Sequence, residues 1–186
     1  MIDKDWRRAI AQIKQLAERD NWVVVDTETT ELYQPEIVQI AIVSAGGEIL
    51  LNSLVKPKTP ISAAASEVHG LTMELLHNAP TWGEVGARVD ELIGDRLVVA
   101  YNAEFDNKAL ATTNKLHNRE GVGGDWLCMM ELVAMVAGDY SRYHKGYTWL
   151  SLSEACSIWD VEMTRAHDAA GDALAVVDLV RQVAGQ

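Results

Sequence analysis

The sequence predicts an α/β fold in which one mixed sheet of five strands is flanked by helices. Three strand-like segments come first, and two of them are separated by Ala45-Gly46-Gly47, a spacing that is typical of an antiparallel hairpin. Strand–helix units follow, and such units are typical of parallel strands. We therefore expect a sheet with a hairpin at one side and parallel strands at the other.

The individual elements follow from the spacing of apolar residues. A helix is expected over 3–20, where apolar residues recur at helical spacing, and a buried strand over 22–26, which is rich in valine. The other predicted strands cover 36–44, 48–55, 96–101 and 126–128. The other predicted helices cover 62–68, 81–93, 104–117, 129–137, 150–158 and 165–183. The polar stretch 138–148 is expected to be irregular.

Length and composition favour one folded domain over residues 1–186, with an opening helix at 1–20 and a core at 22–183. A chain of 186 residues can bury a single sizeable core. It has no apolar stretch of about 20 residues that could cross a bilayer, and its N-terminus runs straight into charge without a signal-peptide core. Cys128 and Cys156 lack metal-ligand spacing and suit reduced thiols. We expect a cytoplasmic protein that does not contact a membrane.

The net charge of -11 lowers the expectation of a tight duplex binder, because lysine and arginine supply the affinity for phosphates. Bound divalent cations could still present positive charge to a phosphate. A protein that grips only a chain end also needs few phosphate contacts. The expected affinity for nucleic acid is therefore modest and sensitive to salt.

Four carboxylates and one histidine fall in three short segments of the chain. Asp26 and Glu28 are two apart at the end of a predicted strand, so their side chains point to one face of the sheet. Carboxylate oxygens suit hard cations such as Mg²⁺ or Mn²⁺. Taken alone, the pair also fits a solvated strand end.

Asp106 lies in the first turn of a predicted helix that follows the strand ending at Tyr101. Ligands collect at the carboxyl ends of strands in α/β sheets, where the first acids also lie. The helix dipole alone would also explain an acid at this position. Asn102 fits an N-cap. Phe105, the single phenylalanine of the chain, fits a core position as well as a base-stacking one.

His167 and Asp172 are five residues apart, which would place them about 140° apart around a regular helix. They can converge only if His167 precedes the helix and Asp172 lies within it. Histidine titrates near neutrality and is the usual general base for activating a water. The remaining histidines are expected to be surface residues or capped core residues: His69, His77, His117 and His144.

In this order the three segments resemble those of the DEDDh branch of the DnaQ-like (RNase T-like) 3′→5′ exonucleases, which have a ribonuclease H-like fold. The matching stretches are 25–30, 100–106 and 167–172, the last in its histidine version. The stretch 68–72, Val-His-Gly-Leu-Thr, is similar to a linking motif of the proofreading-subunit and exonuclease X groups. The stretch 126–129 is similar to a segment of exonuclease X-like members. The resemblance spans about 23–180.

The resemblance implies an enzyme that holds two Mg²⁺ (or Mn²⁺) ions. Asp26, Glu28 and Asp172 would hold one ion, and Asp26 with Asp106 would hold the other. His167 would deprotonate the attacking water, and nucleoside 5′-monophosphates would leave one at a time from a 3′ end.

The resemblance also implies a set of substrate-binding residues: Thr29, Leu32, Asn102 and Phe105. One departure from the family pattern lies between Thr29 and Leu32. Glu31 stands where family members often have glycine, which adds negative charge near the path of the phosphate chain and puts the local turn in question.

Three functions fit the sequence. The first is a 3′→5′ exonuclease on single-stranded or frayed DNA ends, and the second is an enzyme that trims RNA 3′ ends. The third is a binding subunit that docks on a polymerase or nuclease partner through Trp6, Ile10 and Ile13 of the opening helix. A homodimer is a further possible assembly. The clustered acids argue against a purely non-catalytic role, because a binding module gains nothing from carboxylates that repel one another.

The segment 140–149 has a composition of its own. It mixes tyrosines, Trp149 and a histidine with the two cations Arg142 and Lys145, as surfaces that bind single strands do. An ordinary mobile loop fits the composition equally well.

Overall fold

The computed structural model describes residues 2–121, 123–163 and 167–186. The helices are α1 (Ile2–Ala17), α2 (Ala63–His69), α3 (Trp82–Ile93), α4 (Ala103–Leu116), α5 (Met129–Ala137), α6 (Leu152–Ile158) and α7 (Ala169–Ala184). The strands are β1 (Trp22–Thr29), β2 (Ile37–Ser44), β3 (Ile49–Leu54), β4 (Leu97–Ala100), β5 (Trp126–Cys128), β6 (Tyr140–Ser141) and β7 (Gly146–Tyr147).

Strands β1 to β5 form one mixed sheet in the order β3-β2-β1-β4-β5. Strand β2 is antiparallel to both β1 and β3, whereas β4 is parallel to both β1 and β5. The β2–β3 turn closes at Gly47, whose φ of 87° favours glycine and whose N–H donates to the Ser44 carbonyl. The predicted mixed sheet, with a hairpin on one side and parallel strands on the other, is confirmed.

Strand β1 supplies apolar side chains to a core on each face of the sheet. Val24 packs in a cluster with residues of α1, α5 and α7, whereas Val23 and Val25 pack in a cluster with residues of α3 and α4. Because side chains alternate along a strand, Asp26 and Glu28 continue the Val24 side, toward α7. The sheet therefore carries both acids to the same side.

The opening helix α1 packs against α5 and α7. Ile10 and Ile13 are buried in that contact, while Trp6 is 37% exposed. The apolar face considered for docking a partner is therefore largely used inside the molecule. None of the helices in the described ranges is both long and apolar enough to span a membrane.

Several predicted boundaries were wrong, and α1 ends at Ala17 rather than at residue 20. Strand β1 continues beyond residue 26 to Thr29, because its polar end stays paired with β2. The segment 138–148 is not irregular throughout, since β6 and β7 form a two-stranded hairpin within it. Helix α7 begins at Ala169 rather than at 165, and residues 164–166 lie outside the described ranges.

Candidate active site

Three carboxylates meet where β1 ends and α7 begins. Asp26, Glu28 and Asp172 each offer one oxygen, and these oxygens all lie within 4.8 Å of one another. The two strand residues face α7, and Asp172 lies in the first turn of that helix. Among the described residues, this group has the geometry of a metal site.

Small residues allow α7 to approach the sheet closely at this point. Ala169 and Ala173 in the first turns of α7 are completely buried, and Gly171 between them is buried as well. On the sheet, the residue paired with Asp26 is Ala41 of β2. Larger side chains at these positions would separate the helix from the strand and move Asp172 away from the other acids.

Asp106 reaches the same region from the first turn of α4. Strand β4 is paired with β1 only as far as Val24, so the later part of β1 faces this end of α4. The Thr27 hydroxyl donates to Oδ1 of Asp106 over 2.8 Å, and Asp106 is only 4% exposed. Asp106 stands outside the close group of three, but its charge raises the pKa of Asp26. Asp26 therefore interacts both with Asp106 and with the close group that it forms with Glu28 and Asp172.

His167 lies in a turn just before α7, with a φ of 62° and an exposed side chain. Its backbone N–H donates to Oδ2 of Asp172 over 3.2 Å. The chain reverses here, so His167 precedes the helix and Asp172 lies within it, the arrangement that their spacing requires. The other oxygen of Asp172, Oδ1, is buried and has no hydrogen-bond partner among the described residues.

A polar contact that the sequence analysis missed anchors this turn. Asp168, the N-cap of α7, accepts a 2.8 Å hydrogen bond at Oδ1 from Nε2 of Gln39, and the same amide donates to Asn52. Gln39 is paired with Glu28 across the β1–β2 ladder, so the two residues share one face of the sheet. The sheet thus fixes the turn that carries His167.

Burial raises the pKa of all four acids, and repulsion from neighbouring acids adds to the shift for Asp26, Glu28 and Asp172. Burial is the largest cause for each, and it raises the pKa of Glu28 and of Asp106 to about 7. The pKa of Asp26 lies well above its usual range, with Asp106 and Asp172 as the next causes after burial. The pKa of Asp172 is raised by burial even though the His167 N–H opposes the shift.

These observations test whether the acids suit a metal ion. The ligand set consists of carboxylate oxygens, which hard divalent cations prefer. After burial, the causes that raise the pKa of Glu28 are the neighbouring acids, and Oδ1 of Asp172 is an acceptor without a donor among the described residues. A divalent cation would correct both deficits, so the residues fit one.

A cleft of about 240 Å³ opens beside Glu28. Of the predicted substrate-binding residues, Thr29, Leu32 and Phe105 line it; Leu32 is 71% exposed, and Phe105 is partly buried. Asn102 is not part of the lining; it is the exposed N-cap of α4, and its side chain makes no capping bond. The remaining lining residues are Thr27, Glu28, Glu31, Ser62, Ala64, Ala65, Val68 and His69.

One wall of the cleft is α2, which buries none of its own residues and is tied to the end of β1 by hydrogen bonds. The Ser62 N–H donates to the Thr30 carbonyl over 2.9 Å. At the other end, Nε2 of His69 lies 3.2 Å from the Thr29 carbonyl. Because the Leu71 N–H donates to Nδ1 of His69, the ring proton is on Nε2 and is donated to Thr29.

His69 thus has a place at the site that the sequence analysis did not give it. Burial lowers the pKa of His69, although the hydrogen bond to the Thr29 carbonyl opposes the shift. The signal that could have found it was the stretch 68–72, whose resemblance to a family motif pointed to more than an ordinary surface histidine.

The turn after β1 is held by a buried acid, Glu36. Its carboxylate accepts bonds from the N–H groups of Lys58 and Thr59, the Thr59 hydroxyl and Nε2 of His117. Burial alone would raise the pKa of Glu36, but these donors hold it below its usual value. The Thr30 N–H donates to the Glu36 carbonyl, and the Thr30 hydroxyl accepts from the Glu36 N–H. The segment beside the cleft is therefore fixed on its far side.

Glu31 fits this turn without a glycine. It is not among the residues with positive φ, and its backbone carbonyl accepts the Thr29 hydroxyl over 3.0 Å. Its carboxylate accepts the Gln34 N–H over 3.3 Å. The backbone at this position therefore does not require the glycine that is common in the family, although a negative charge remains beside the cleft.

Known exonucleases match this chain in sequence. The family model described as "Exonuclease" (RNase T) matches residues 23–180. An exonuclease of Escherichia phage 186, described as uncharacterized, is 35% identical over 94% of this chain and 95% of its own length. A PolC-type DNA polymerase III of Bacillus cereus is 30% identical over 88% of this chain, which spans only 11% of that polymerase.

Solved structures show the same fold. Exonuclease X in complex with 5′ overhanging duplex DNA superposes with a TM-score of 0.63 and 24% identity, covering 86% of this chain and 91% of that one. E. coli exonuclease I in complex with a dT13 oligonucleotide superposes with a TM-score of 0.71 and 13% identity, covering 86% of this chain and 40% of that one. The family model covers nearly everything except α1, and the phage relative matches almost end to end. The chain therefore belongs to the RNase T-like exonuclease family, and it has the ribonuclease H-like fold of the solved exonucleases.

Proposed function

We propose that the protein removes nucleotides one at a time from the 3′ ends of single-stranded or frayed DNA and releases nucleoside 5′-monophosphates. The observation that carries the proposal is the position of the three convergent carboxylates beside the cleft, with Glu28 belonging to both. A chain end in the cleft would place its last phosphodiester next to the acids. An internal segment of a strand would have to turn sharply to do the same.

In this proposal the acids would hold two divalent cations, Mg²⁺ or Mn²⁺. Asp26, Glu28 and Asp172 would hold one, and Asp26 with Asp106 would hold the other. When bound, such ions supply positive charge to the attacking and leaving oxygens of an in-line displacement. The buried, unpartnered oxygen of Asp172 and the raised pKa of Asp106 support this division of ligands.

His167 is the proposed general base. Its exposed side chain stands beside Asp172, where it can take a proton from a water that approaches the phosphate. The hydrogen bond between Gln39 and Asp168 restrains the turn on which the imidazole stands. The backbone N–H of His167 on Asp172 ties the position of the base to that of a metal ligand.

The cleft would hold the terminal nucleotide. Its exposed apolar side chain, Leu32, would pack on the terminal base, and Thr29 with its backbone would meet the 3′-hydroxyl. Phe105, which also lines the cleft, would place the penultimate nucleotide together with the exposed amide of Asn102. The side chains that line the cleft do not indicate whether deoxyribose or ribose is preferred.

DNA is the proposed substrate because the relatives with polymerase names and the solved complexes of exonuclease X and exonuclease I are DNA proteins by their descriptions. Trimming of RNA 3′ ends is the second candidate. It is favoured by the match to the nuclease domain of 3′hExo bound to rAMP, with a TM-score of 0.65. Association with a polymerase, or a homodimer, remains a prediction, as does the cytoplasmic location that the free thiols of Cys128 and Cys156 suit.

A single gel tests the proposal. The purified protein is incubated with 5′-labelled single-stranded DNA, duplex DNA and single-stranded RNA of one sequence, each with Mg²⁺, Mn²⁺ or EDTA. We expect single-stranded DNA to shorten from the 3′ end, and EDTA and Asp26→Ala to abolish the ladder. Asp178→Ala, which removes an exposed acid of α7 that is paired with Arg181, is the matched control and should leave the ladder intact. No cleavage of any substrate would refute the proposal.

A further inference from the structure

The β6–β7 hairpin presents a group of exposed side chains that the proposed site does not use. Its tip consists of Arg142, Tyr143, His144 and Lys145, all exposed, with Tyr143 at 89% exposure. Trp149, just beyond the hairpin, is 66% exposed. Residues 140–149 contain no acid, in a chain whose net charge is -11.

The hairpin is anchored at its base. The rings of Tyr140 and Tyr147 meet edge to face with centroids 5.2 Å apart, and the Thr148 N–H donates to the Asp139 carbonyl. The Tyr147 hydroxyl donates to Oδ2 of Asp5 in the first turn of α1 over 3.0 Å. The tip is thus displayed on a fixed base, so its exposed groups are available to a ligand at low ordering cost.

The hairpin also lies at the same end of the sheet as the acids. The indole of Trp22 donates to the Leu16 carbonyl, so the last turn of α1 is level with the start of β1. Asp5 is then about 16 Å back along α1. Glu28 is about 20 Å along β1 from Trp22. Asp5, and the Tyr147 hydroxyl bonded to it, therefore lie about as far from the start of β1 as Glu28 does.

A second contact places the neighbouring segment independently. The Tyr101 hydroxyl donates to the Leu150 carbonyl over 2.7 Å. Tyr101 directly follows β4, so the residue after Trp149 is fixed at the carboxyl end of the parallel strands, next to the helix that carries Asp106. The exposed aromatics and cations therefore stand on the approach to the site.

We propose that this hairpin binds the single strand upstream of the nucleotides in the cleft, with Arg142 and Lys145 on phosphates and Tyr143 and Trp149 stacking on bases. The inference rests on the proposed function and extends its substrate site. Charge complementarity supports it, because an acidic molecule needs local cations to hold a polyanion outside its metal centre. Aromatic side chains give sequence-tolerant stacking, which suits an enzyme that removes every base in turn.

Equilibrium binding tests the inference. Fluorescence anisotropy in EDTA is recorded with a labelled oligothymidylate of about 12 nucleotides and with a trinucleotide that fills only the cleft. We expect Arg142→Ala/Lys145→Ala to weaken binding of the longer strand by about tenfold and to reduce the slope of log K against log salt by about 1.4, the value for two lost phosphate contacts. Trinucleotide binding should not change. Tyr143→Ala should weaken the longer strand about fivefold or more.

The matched control is Lys14→Ala/Arg19→Ala, which removes the same charge from exposed positions at the opposite end of the sheet. An equal loss in this control, an unchanged salt slope in the hairpin variant, or no binding of the longer strand by the wild-type protein would overturn the inference. The gel described above is read separately. Hairpin-dependent binding without release of mononucleotides would refute the proposed function and leave the inference standing.

Discussion

Replacing Asp106 by asparagine should stabilise the metal-free protein while abolishing its activity. Asparagine has the same shape, and its Oδ1 can still accept the hydrogen bond from the Thr27 hydroxyl. The change removes only the buried charge that burial opposes and that in turn repels Asp26. A stabilising substitution in a catalytic position is what a preorganised acidic site predicts.

The magnitude follows from the pKa of Asp106, which burial raises from 3.8 to about 7. This shift corresponds to about 4 kcal/mol between the two protonation states. Because Asp106 and Asp26 repel each other, they titrate together, and the share of Asp106 alone falls toward about 2 kcal/mol. The sign is fixed by linkage. Because the pKa of Asp106 is raised in the folded state, the folded protein binds its proton more tightly than the unfolded chain does. The free energy of unfolding is therefore highest below pH 3.8 and falls as the pH rises to about 7. The loss of unfolding free energy that the charged Asp106 causes in the wild-type protein is therefore largest near pH 8 and roughly half as large near pH 5.5.

The assay is urea unfolding of both proteins in EDTA at about pH 8 and about pH 5.5. We expect the asparagine variant to be more stable by about 2–4 kcal/mol at the higher pH, and the advantage to shrink at the lower pH. Excess Mg²⁺ should then stabilise the wild-type protein more than the variant, because only the wild-type protein has the complete ligand set. Equal stability in EDTA at the higher pH, or an advantage that does not vary with pH, would refute the reasoning.

Four further predictions concern groups around the acids. His69→Ala should raise KM about tenfold with little change in kcat, because α2 loses a hydrogen bond to β1, whereas the exposed control His77→Ala should behave as wild type; an effect on kcat alone would contradict this. Gln39→Leu should lower kcat about tenfold while the melting temperature stays close to wild type, and unchanged kcat would show that the His167 turn needs no anchor. Mg²⁺ affinity, measured by calorimetry, should fall as pH drops below about 7, where Glu28 takes up a proton, and a flat profile between about pH 8 and 6 would count against the raised pKa. Glu36→Gln should cost about 1–3 kcal/mol in urea unfolding, because four donors lose a charged acceptor; no loss would mean that these bonds are exchanged for water.

The sequence predicted most of the sheet because its strands are strongly patterned. The valines of β1 and the apolar run of β2 identified the buried strands, and the alternation along β1 put Asp26 and Glu28 on one face. The placement of His167 also followed from geometry. Two residues five positions apart do not share a helical face, so His167 had to precede the helix that contains Asp172. These inferences depend on local periodicity, which a single sequence carries.

What the sequence did not predict depends on contacts between distant segments. The Gln39–Asp168 bond joins residues far apart in the chain, and neither residue type indicates a partner. Strand β1 continues through polar residues because β2 is beside it, not because of its own composition. The β6–β7 hairpin is held by Asp5 at the other end of the chain. Propensity alone could not identify such partners.

The site brings four negatively charged side chains together. On one flexible segment they would move apart, because like charges repel. Asp26 and Glu28 are fixed by a strand paired on β2, Asp172 by a helix with small residues at the sheet, and Asp106 by the hydroxyl of Thr27. Each acid is held by an element whose apolar residues pack in the two cores, β1 in both of them, so relaxing the repulsion would require the cores to open. The repulsion between the acids therefore persists in the folded protein, and binding a cation would reduce it. Removing one charge should relieve the fold and disable the site together, which is why the Asp106→Asn variant must be scored for stability and for cleavage in the same preparation.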